Sequence, residues 1–188
     1  MRFAALCLLG LTLLGCALAE NAVDRTQMER RGSDLYVSGV VTSRSAAAFE
    51  QVIVENPQIT TVVLMQMGGS LDDEAVLRMG YFLRDRGLNT RLSAQSAIYS
   101  GAVDLFLAGN RRSMAAGAVI GVHAWADGFG DASAYGRDAP EHRLNAQYTR
   151  DMLGSDGFYW FTLQAAPSDG IHEMTGAEIA RFGLLTRP

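Results

Sequence analysis

Blocks of apolar and polar residues follow one another along the chain with the spacings of strands and helices. Residues 35–41 are rich in β-branched and aromatic side chains, which predicts a strand. Residues 60–66 form a continuous apolar run, typical of a strand buried on both faces of a parallel sheet. Ser43 and Ser45 are candidate N-caps of a helix that runs to about Glu55, and helical spacing predicts a second helix over about 72–86. The alternation predicts an α/β domain with a buried, partly parallel sheet.

The rest of the chain continues the alternation. We predict short strands over 90–94, 112–114 and 119–123, an apolar helix over 100–108, a loop over 124–139, and helices over 141–152, 158–165 and 175–182. Thr175 and Glu178 have the spacing of a capping box for the last helix. Residues 20–33 are polar and irregular and are predicted to form a tether, so that the folded domain occupies residues 34–188.

The first nineteen residues have the pattern of a targeting segment. An apolar run over 3–14 follows Arg2 and precedes Ala17-Leu18-Ala19, as in a cleavable signal peptide. Leu13-Leu14-Gly15-Cys16 also fits a lipoprotein signal that ends before Cys16, and an uncleaved anchor is a third alternative. Each alternative places the folded domain outside the cytoplasm, periplasmic or secreted. The only membrane attachment expected of the processed protein is a lipid at Cys16.

Composition excludes several kinds of chemistry. All 16 basic residues among the 188 are arginine, so Schiff bases and Ser–Lys dyads are excluded. The net charge of -4, with no basic run, argues against a nucleic-acid partner. Cys7 and Cys16, the two cysteines, both precede the domain, which excludes disulfides and thiolate metal sites within it. We expect no metal and no cofactor.

Three short motifs could carry chemistry. Gly68-Gly69 ends the buried strand, where free N–H groups and a helix start suit an oxyanion, although a plain turn has the same pattern. Ser100-Gly101 begins an apolar helix, where the serine could face a cleft or simply cap the helix. His123 ends a predicted strand, where it could accept a proton from a serine or be a buried histidine bonded to backbone.

In this order and spacing, residues from about 35 to 185 resemble the Clp protease proteolytic subunit and its relatives in the Clp/crotonase superfamily. The resemblance is strongest to secreted bacterial Clp-like proteins. It rests on the segments MGGSLDDEAVLRMGYFLRDRGLNT, SAIYSGAVDLFLAGNRRSMAAGAVIGVHAW and MTGAEIARFGLLT. It implies a Clp/crotonase-like ββα spiral domain, and a homo-oligomer.

Carried over by position, the resemblance implies that Ser100 is a nucleophile and His123 its general base. It also implies that the N–H groups of Gly69 and Gly101 form an oxyanion hole. The family's catalytic aspartate aligns with Ile171, a departure that puts the third member of a triad in doubt. Asp169 is our candidate for that role, with Glu173 as the alternative.

Smaller departures from the family concern packing. Met67 stands where relatives often have proline, and Ile98 and Ala102 stand where the secreted branch often has cysteines.

The expected function is an extracytoplasmic serine hydrolase, in particular a peptidase, acting on a peptide or small acyl substrate. The alternatives are a catalytically degenerate binding or scaffold protein and a crotonase-type acyl-binding protein. Asp104 is expected to be a partly buried acid, and Glu141-His142 to lie on a solvated helix face. The aromatic cluster over 158–161 could be core, a subunit interface or a groove lining.

Overall fold

A computed structural model describes residues 25–128 and 130–186. The predicted signal segment over 1–19, Cys7 and Cys16 therefore lie outside the described residues. The strands are β1 Gln27–Arg31, β2 Asp34–Ser38, β3 Val40–Val41, β4 Thr61–Met67, β5 Gly69–Ser70, β6 Asn89–Tyr99, β7 Arg112–Met114, β8 Val119–Val122, β9 Ala126–Asp127, β10 Gly130–Asp131 and β11 His172–Glu173. The helices are α1 Ser45–Glu55, α2 Asp73–Asp85, α3 Gly101–Leu107, α4 Arg143–Leu153, α5 Gly157–Ala165 and α6 Gly176–Arg181, with short 3₁₀ turns at Ala132–Ala134 and Pro140–His142.

A mixed, mostly parallel sheet forms the centre of the fold and confirms the predicted α/β class. Its order is β1-β2-β4-β6-β8-β11, with β7 also beside β6. The pairs of β2 with β4 and of β6 with β4, β7 and β8 are parallel, whereas β1 and β11 join the two edges antiparallel. Two-stranded sheets of β3 with β5 and of β9 with β10 lie outside it.

Strand β6 is longer than its sequence pattern predicts. The sequence predicts a strand over 90–94 only, and Gln95 and Ser96 are polar. In the structure Ser96 is buried, and its hydroxyl donates to the Leu64 carbonyl and accepts from the Ser93 N–H. The sheet register against β4 shifts at this point, and β6 continues to Tyr99 beside β8. This extension carries the chain directly into Ser100 and α3.

The apolar core lies between the sheet and the helices. Its fully buried large side chains come from strands and helices that are distant in sequence: Leu35, Phe49, Leu64, Met67, Met79, Leu83, Leu92, Ile98, Leu105, Phe106, Leu107 and Tyr148. Burying side chains of this size stabilises a fold by roughly 1.5–3 kcal/mol each. In the part of the chain that the structure describes, no helix is long and apolar enough to cross a membrane.

The predicted tether over 20–33 is wrong for its second half. Gln27–Arg31 forms β1, an edge strand paired antiparallel with β2. Four of its five side chains are exposed, so the strand has no apolar alternation to identify it. Its pairing depends on the backbone of β2, which the local pattern of side chains does not indicate.

Two arginines hold the carboxyl end of α3. Arg84 on α2 donates to the carbonyls of Leu107 and Ala108, where the helix dipole is negative. Arg112 is 8% exposed and donates to the Gly109 carbonyl and, beyond the helix, to the Leu184 carbonyl. Burial, and secondarily the charge of Arg84, lowers the pKa of Arg112. These contacts fix the position of α3, whose other end carries the candidate site.

Candidate active site

Ser100 occupies a strained turn between β6 and α3. Its φ of 52° and ψ of -133° make it the only non-glycine residue with positive φ among those described. Such a backbone conformation costs about 1–3 kcal/mol and is concentrated at functional sites. The Ser100 side chain makes no capping hydrogen bond to α3, which argues against the simpler alternative of a helix cap. Ser100 is also partly exposed and lines a pocket of about 60 Å³.

Gly69 and Gly101 both lie against this serine. Gly69 has a φ of +118°, and a Cβ added there would be 2.9 Å from Ser100 Cβ and 3.3 Å from the Tyr99 carbonyl oxygen. Gly101 is the first residue of α3, so its N–H is one of those that lack a partner within the helix. A Cβ at Gly101 would be 2.5 Å from Ser70 Oγ. At Gly69, only glycine therefore permits the close approach to Ser100, which a plain turn does not require; at Gly101 the neighbouring atom is the end of the Ser70 side chain.

His123 directly follows β8 and lines the same pocket as Ser100 and Gly101. Its Nδ1 lies 2.7 Å from the Ala124 carbonyl oxygen. Because a carbonyl can only accept, this contact places the proton on Nδ1 of the neutral ring and leaves Nε2 as the basic nitrogen. The structure shows no hydrogen bond between His123 and Ser100, although hydrogen bonds of this kind often form only with substrate bound.

The two candidate acids are not brought to His123. Asp169 is exposed and, within the described residues, its side chain makes no hydrogen bond. The neighbouring Ser168 N–H donates instead to Asp131 Oδ2, at 2.7 Å. Glu173 on β11 pairs in register with Gly121, and its side chain is exposed. The nitrogen that a triad acid would contact is occupied by the Ala124 carbonyl.

Asp104 lines the pocket, although the family resemblance assigns it no role. It lies on the first turn of α3, and no described donor makes a hydrogen bond to its carboxyl group. Burial, and secondarily the charge of Asp73, raises the pKa of Asp104 to about 8. Asp73 lines the pocket as well, and its Oδ1 accepts from Ser70 Oγ at 2.9 Å. Asp104 is therefore protonated at neutral pH, which its residue type alone does not indicate.

The raised pKa of Asp104 predicts how stability changes with pH. Above about pH 4 the unfolded chain releases this proton, whereas the folded chain keeps it until about pH 8. The free energy of unfolding should therefore fall with rising pH across this window, by about 1.4 kcal/mol per unit from this group. Asp104→Asn should flatten the profile measured by urea unfolding at pH 5 to 8. Asp85→Asn, on the exposed surface of α2, is the control for loss of one charge, and parallel profiles for wild type and Asp104→Asn would contradict the prediction.

Aromatic and polar side chains of α4, α5 and the preceding loop complete the pocket: Trp125, Asn145, Thr149, Phe158, Tyr159 and Thr162. Trp125 Nε1 donates to Tyr159 Oη at 2.9 Å. The aromatic cluster over 158–161 is thus divided. Phe158 and Tyr159 face the pocket, whereas Phe161 packs on Phe182. The sequence places these residues on helices but does not show which helix face lies beside Ser100.

The expectation of a solvated helix face at Glu141-His142 is wrong for the histidine. His142 is 2% exposed, and its Nδ1 lies 2.7 Å from Tyr159 Oη. The 3₁₀ turn before α4 rotates this residue toward α5, while Glu141 stays exposed. No group of three or more His, Cys, Asp or Glu side chains that could hold a metal occurs among residues 25–128 and 130–186.

Comparison with solved structures supplies the fold relationship. An enoyl-CoA hydratase from Polaromonas sp. JS666 aligns with a TM-score of 0.51 and 14% identity, over 86% of this chain and 69% of that one. A mutant of the membrane-bound stomatin-specific protease 1510-N, in complex with a substrate peptide, aligns with a TM-score of 0.53 and 13% identity, over 84% and 75%. The chain has a crotonase/Clp-like fold. No protein-family model matches it, and neither does any curated protein.

The crotonase/Clp-like fold agrees with the superfamily that the sequence motifs indicate. A third similar structure, an enoyl-CoA hydratase from Bacillus halodurans, has a TM-score of 0.52 and 12% identity, over 85% of this chain and 71% of that one. Structures of this fold therefore include both a protease and hydratases. The likeness shows the fold, and the function has to be argued from this chain's own residues.

Proposed function

We propose that this protein is an extracytoplasmic serine hydrolase, in particular a peptidase, with Ser100 as nucleophile and His123 as general base. The observation that carries the proposal is the strained conformation of Ser100 at the start of α3, in a pocket shared with His123. A sharp strand-to-helix turn presents a serine hydroxyl to substrate, as in other serine hydrolases. The extracytoplasmic location rests on the sequence of residues 1–19 alone.

In the proposed mechanism, His123 Nε2 takes the proton of Ser100 as the oxygen attacks a substrate carbonyl. His123 then gives this proton to the leaving group. The Gly69 and Gly101 N–H groups stabilise the oxyanion that forms, each worth about 2.7–4 kcal/mol of barrier. The Ala124 carbonyl replaces a triad carboxylate by holding the Nδ1 proton. A neutral acceptor stabilises the imidazolium less than a carboxylate does, so we expect a slow enzyme.

A second candidate function is the binding of an acyl thioester. The observation that favours this function is the position of Asp104, three residues after Gly101 on α3. Its carboxyl group, with a pKa raised to about 8, lines the same pocket. The same two N–H groups would then hold a thioester carbonyl without nucleophilic attack. The expectation of a homo-oligomer, taken from the family resemblance, remains a proposal as well.

One experiment separates these candidates. The folded protein is treated with a fluorophosphonate probe, and the labelled residue is identified by peptide mass spectrometry. The serine hydrolase predicts labelling at Ser100, abolished in Ser100→Ala and slowed in His123→Gln. Ser113→Ala, an exposed serine on β7, is the matched control. Absence of label, together with a thermal shift on adding acyl-CoA, would favour the acyl-binding function and reject the hydrolase.

A further inference from the structure

A second pocket, of about 310 Å³, lies at the start of α4 on the opposite side of this helix from Ser100. We call it the arginine pocket and define it by Arg137, His142, Arg143, Arg150, Asp156 and Trp160. Asn145 and Thr149 on α4 line the Ser100 pocket, whereas Arg143 and Arg150 line the arginine pocket. Helix α4 thus separates the two pockets, and the arginine pocket has no part in the proposed hydrolysis.

The arginine pocket has more positive than negative side chains. Arg150 is neutralised by Asp156, with Nη2 and Oδ2 2.6 Å apart. Arg137 and Arg143 have no carboxylate partner among the described residues. Besides Asp156, the pocket is lined by one more acid, Asp138. The guanidinium carbon of Arg137 lies 4.4 Å from the centroid of the Trp160 ring. This stacking holds one guanidinium at the pocket wall while leaving its N–H groups available.

His142 adds a buried side chain to the lining of the pocket. Tyr159 Oη accepts from Trp125 Nε1, which can only donate, so the hydroxyl proton of Tyr159 is free to go to His142 Nδ1. Burial raises the pKa of Tyr159 to about 12, which keeps that proton in place. Neutral His142 then carries its own proton on Nε2. This nitrogen is buried and has no hydrogen-bond partner, a costly arrangement unless a ligand supplies an acceptor.

We propose that the arginine pocket binds a compact oxyanion, a carboxylate or a phosphate group. Arg137 and Arg143 would supply the charge-assisted hydrogen bonds, and the planar guanidinium suits both kinds of oxyanion. His142, which also lines the pocket, would donate the remaining hydrogen bond from Nε2. The N-terminus of α4, a helix of 11 residues that begins at Arg143, adds partial positive charge on the same side.

The test is a titration of the full chain with acetate, benzoate and inorganic phosphate at constant ionic strength, with chloride as the reference anion. Tryptophan fluorescence and the ¹⁵N-imidazole spectrum of His142 are the readouts. We expect saturable binding with a shift of the His142 Nε2 signal, weakened about tenfold or more by each of Arg137→Gln and Arg143→Gln. The acetate, benzoate and phosphate arms show which oxyanion the pocket prefers.

Arg86→Gln is the matched control, because Arg86 also stacks on an aromatic ring, at 4.7 Å from the centroid of Phe82, without a carboxylate partner among the described residues. Its affinity for the anion should equal that of the wild type. Equal weakening in Arg86→Gln would show a general charge effect and overturn the proposal. The proposal also fails if none of the three anions binds saturably, or if the His142 signal does not move on binding.

Discussion

Replacing Ser100 by Ala is expected to lower kcat/KM for hydrolysis of short-chain p-nitrophenyl esters by about 10⁴-fold. The reason is that the proposed acyl intermediate forms on the Ser100 hydroxyl, which the substitution removes. His123→Gln should cause a loss of similar size, because Ser100 is a poor nucleophile unless a base accepts its proton. The measurement is steady-state hydrolysis near pH 8, with folding checked by circular dichroism.

The double variant Ser100→Ala/His123→Gln gives the sharper result. Residues that act as one catalytic unit are strongly non-additive, so the double variant should be no slower than the slower single variant. Asp169→Asn is the matched control, since Asp169 makes no side-chain hydrogen bond in the structure and lies outside the Ser100 pocket. A large loss in Asp169→Asn, or losses that multiply in the double variant, would contradict the Ser–His pair oriented by the Ala124 carbonyl.

Gly69→Ala is expected to produce the second largest effect. The new Cβ would lie 2.9 Å from Ser100 Cβ at a residue whose φ is +118°, so both the serine and the strand end must move. We expect hydrolysis to fall about 10²–10³-fold, the usual cost of disturbing an oxyanion donor. The free energy of unfolding should fall by about 2 kcal/mol from backbone strain. The measurements are kcat/KM and urea unfolding on the same preparation.

The adjacent glycine is the control for Gly69. A Cβ at Gly68 would lie 3.4 Å from Val40 Cγ2, and its φ is not positive, so Gly68→Ala should change both quantities little. If Gly68→Ala and Gly69→Ala were equally active, the close approach of Gly69 to Ser100 would have no catalytic meaning. The pair therefore separates a specific role of Gly69 from general disturbance of the turn.

Local patterns in the sequence predict most of the helices and the central strands. Helix α1, helix α2 and strand β4 form within a residue or two of the predicted bounds, because their apolar spacing reflects burial against one core. The capping box of Thr175 and Glu178 is present, since both of its hydrogen bonds are local. Strand β11 was not predicted, because its two residues depend on pairing with β8.

The sequence by itself determined the fold class and the order of Gly69, Ser100, Gly101 and His123, because short-range spacing and residue type carry that information. Only the tertiary structure decided which of these residues share one pocket. It also decided that the Ala124 carbonyl, and not Asp169, contacts His123. The tertiary structure likewise decided the raised pKa of the partly buried Asp104 and the burial of His142, since pKa and hydrogen bonding depend on neighbours that are distant in the chain.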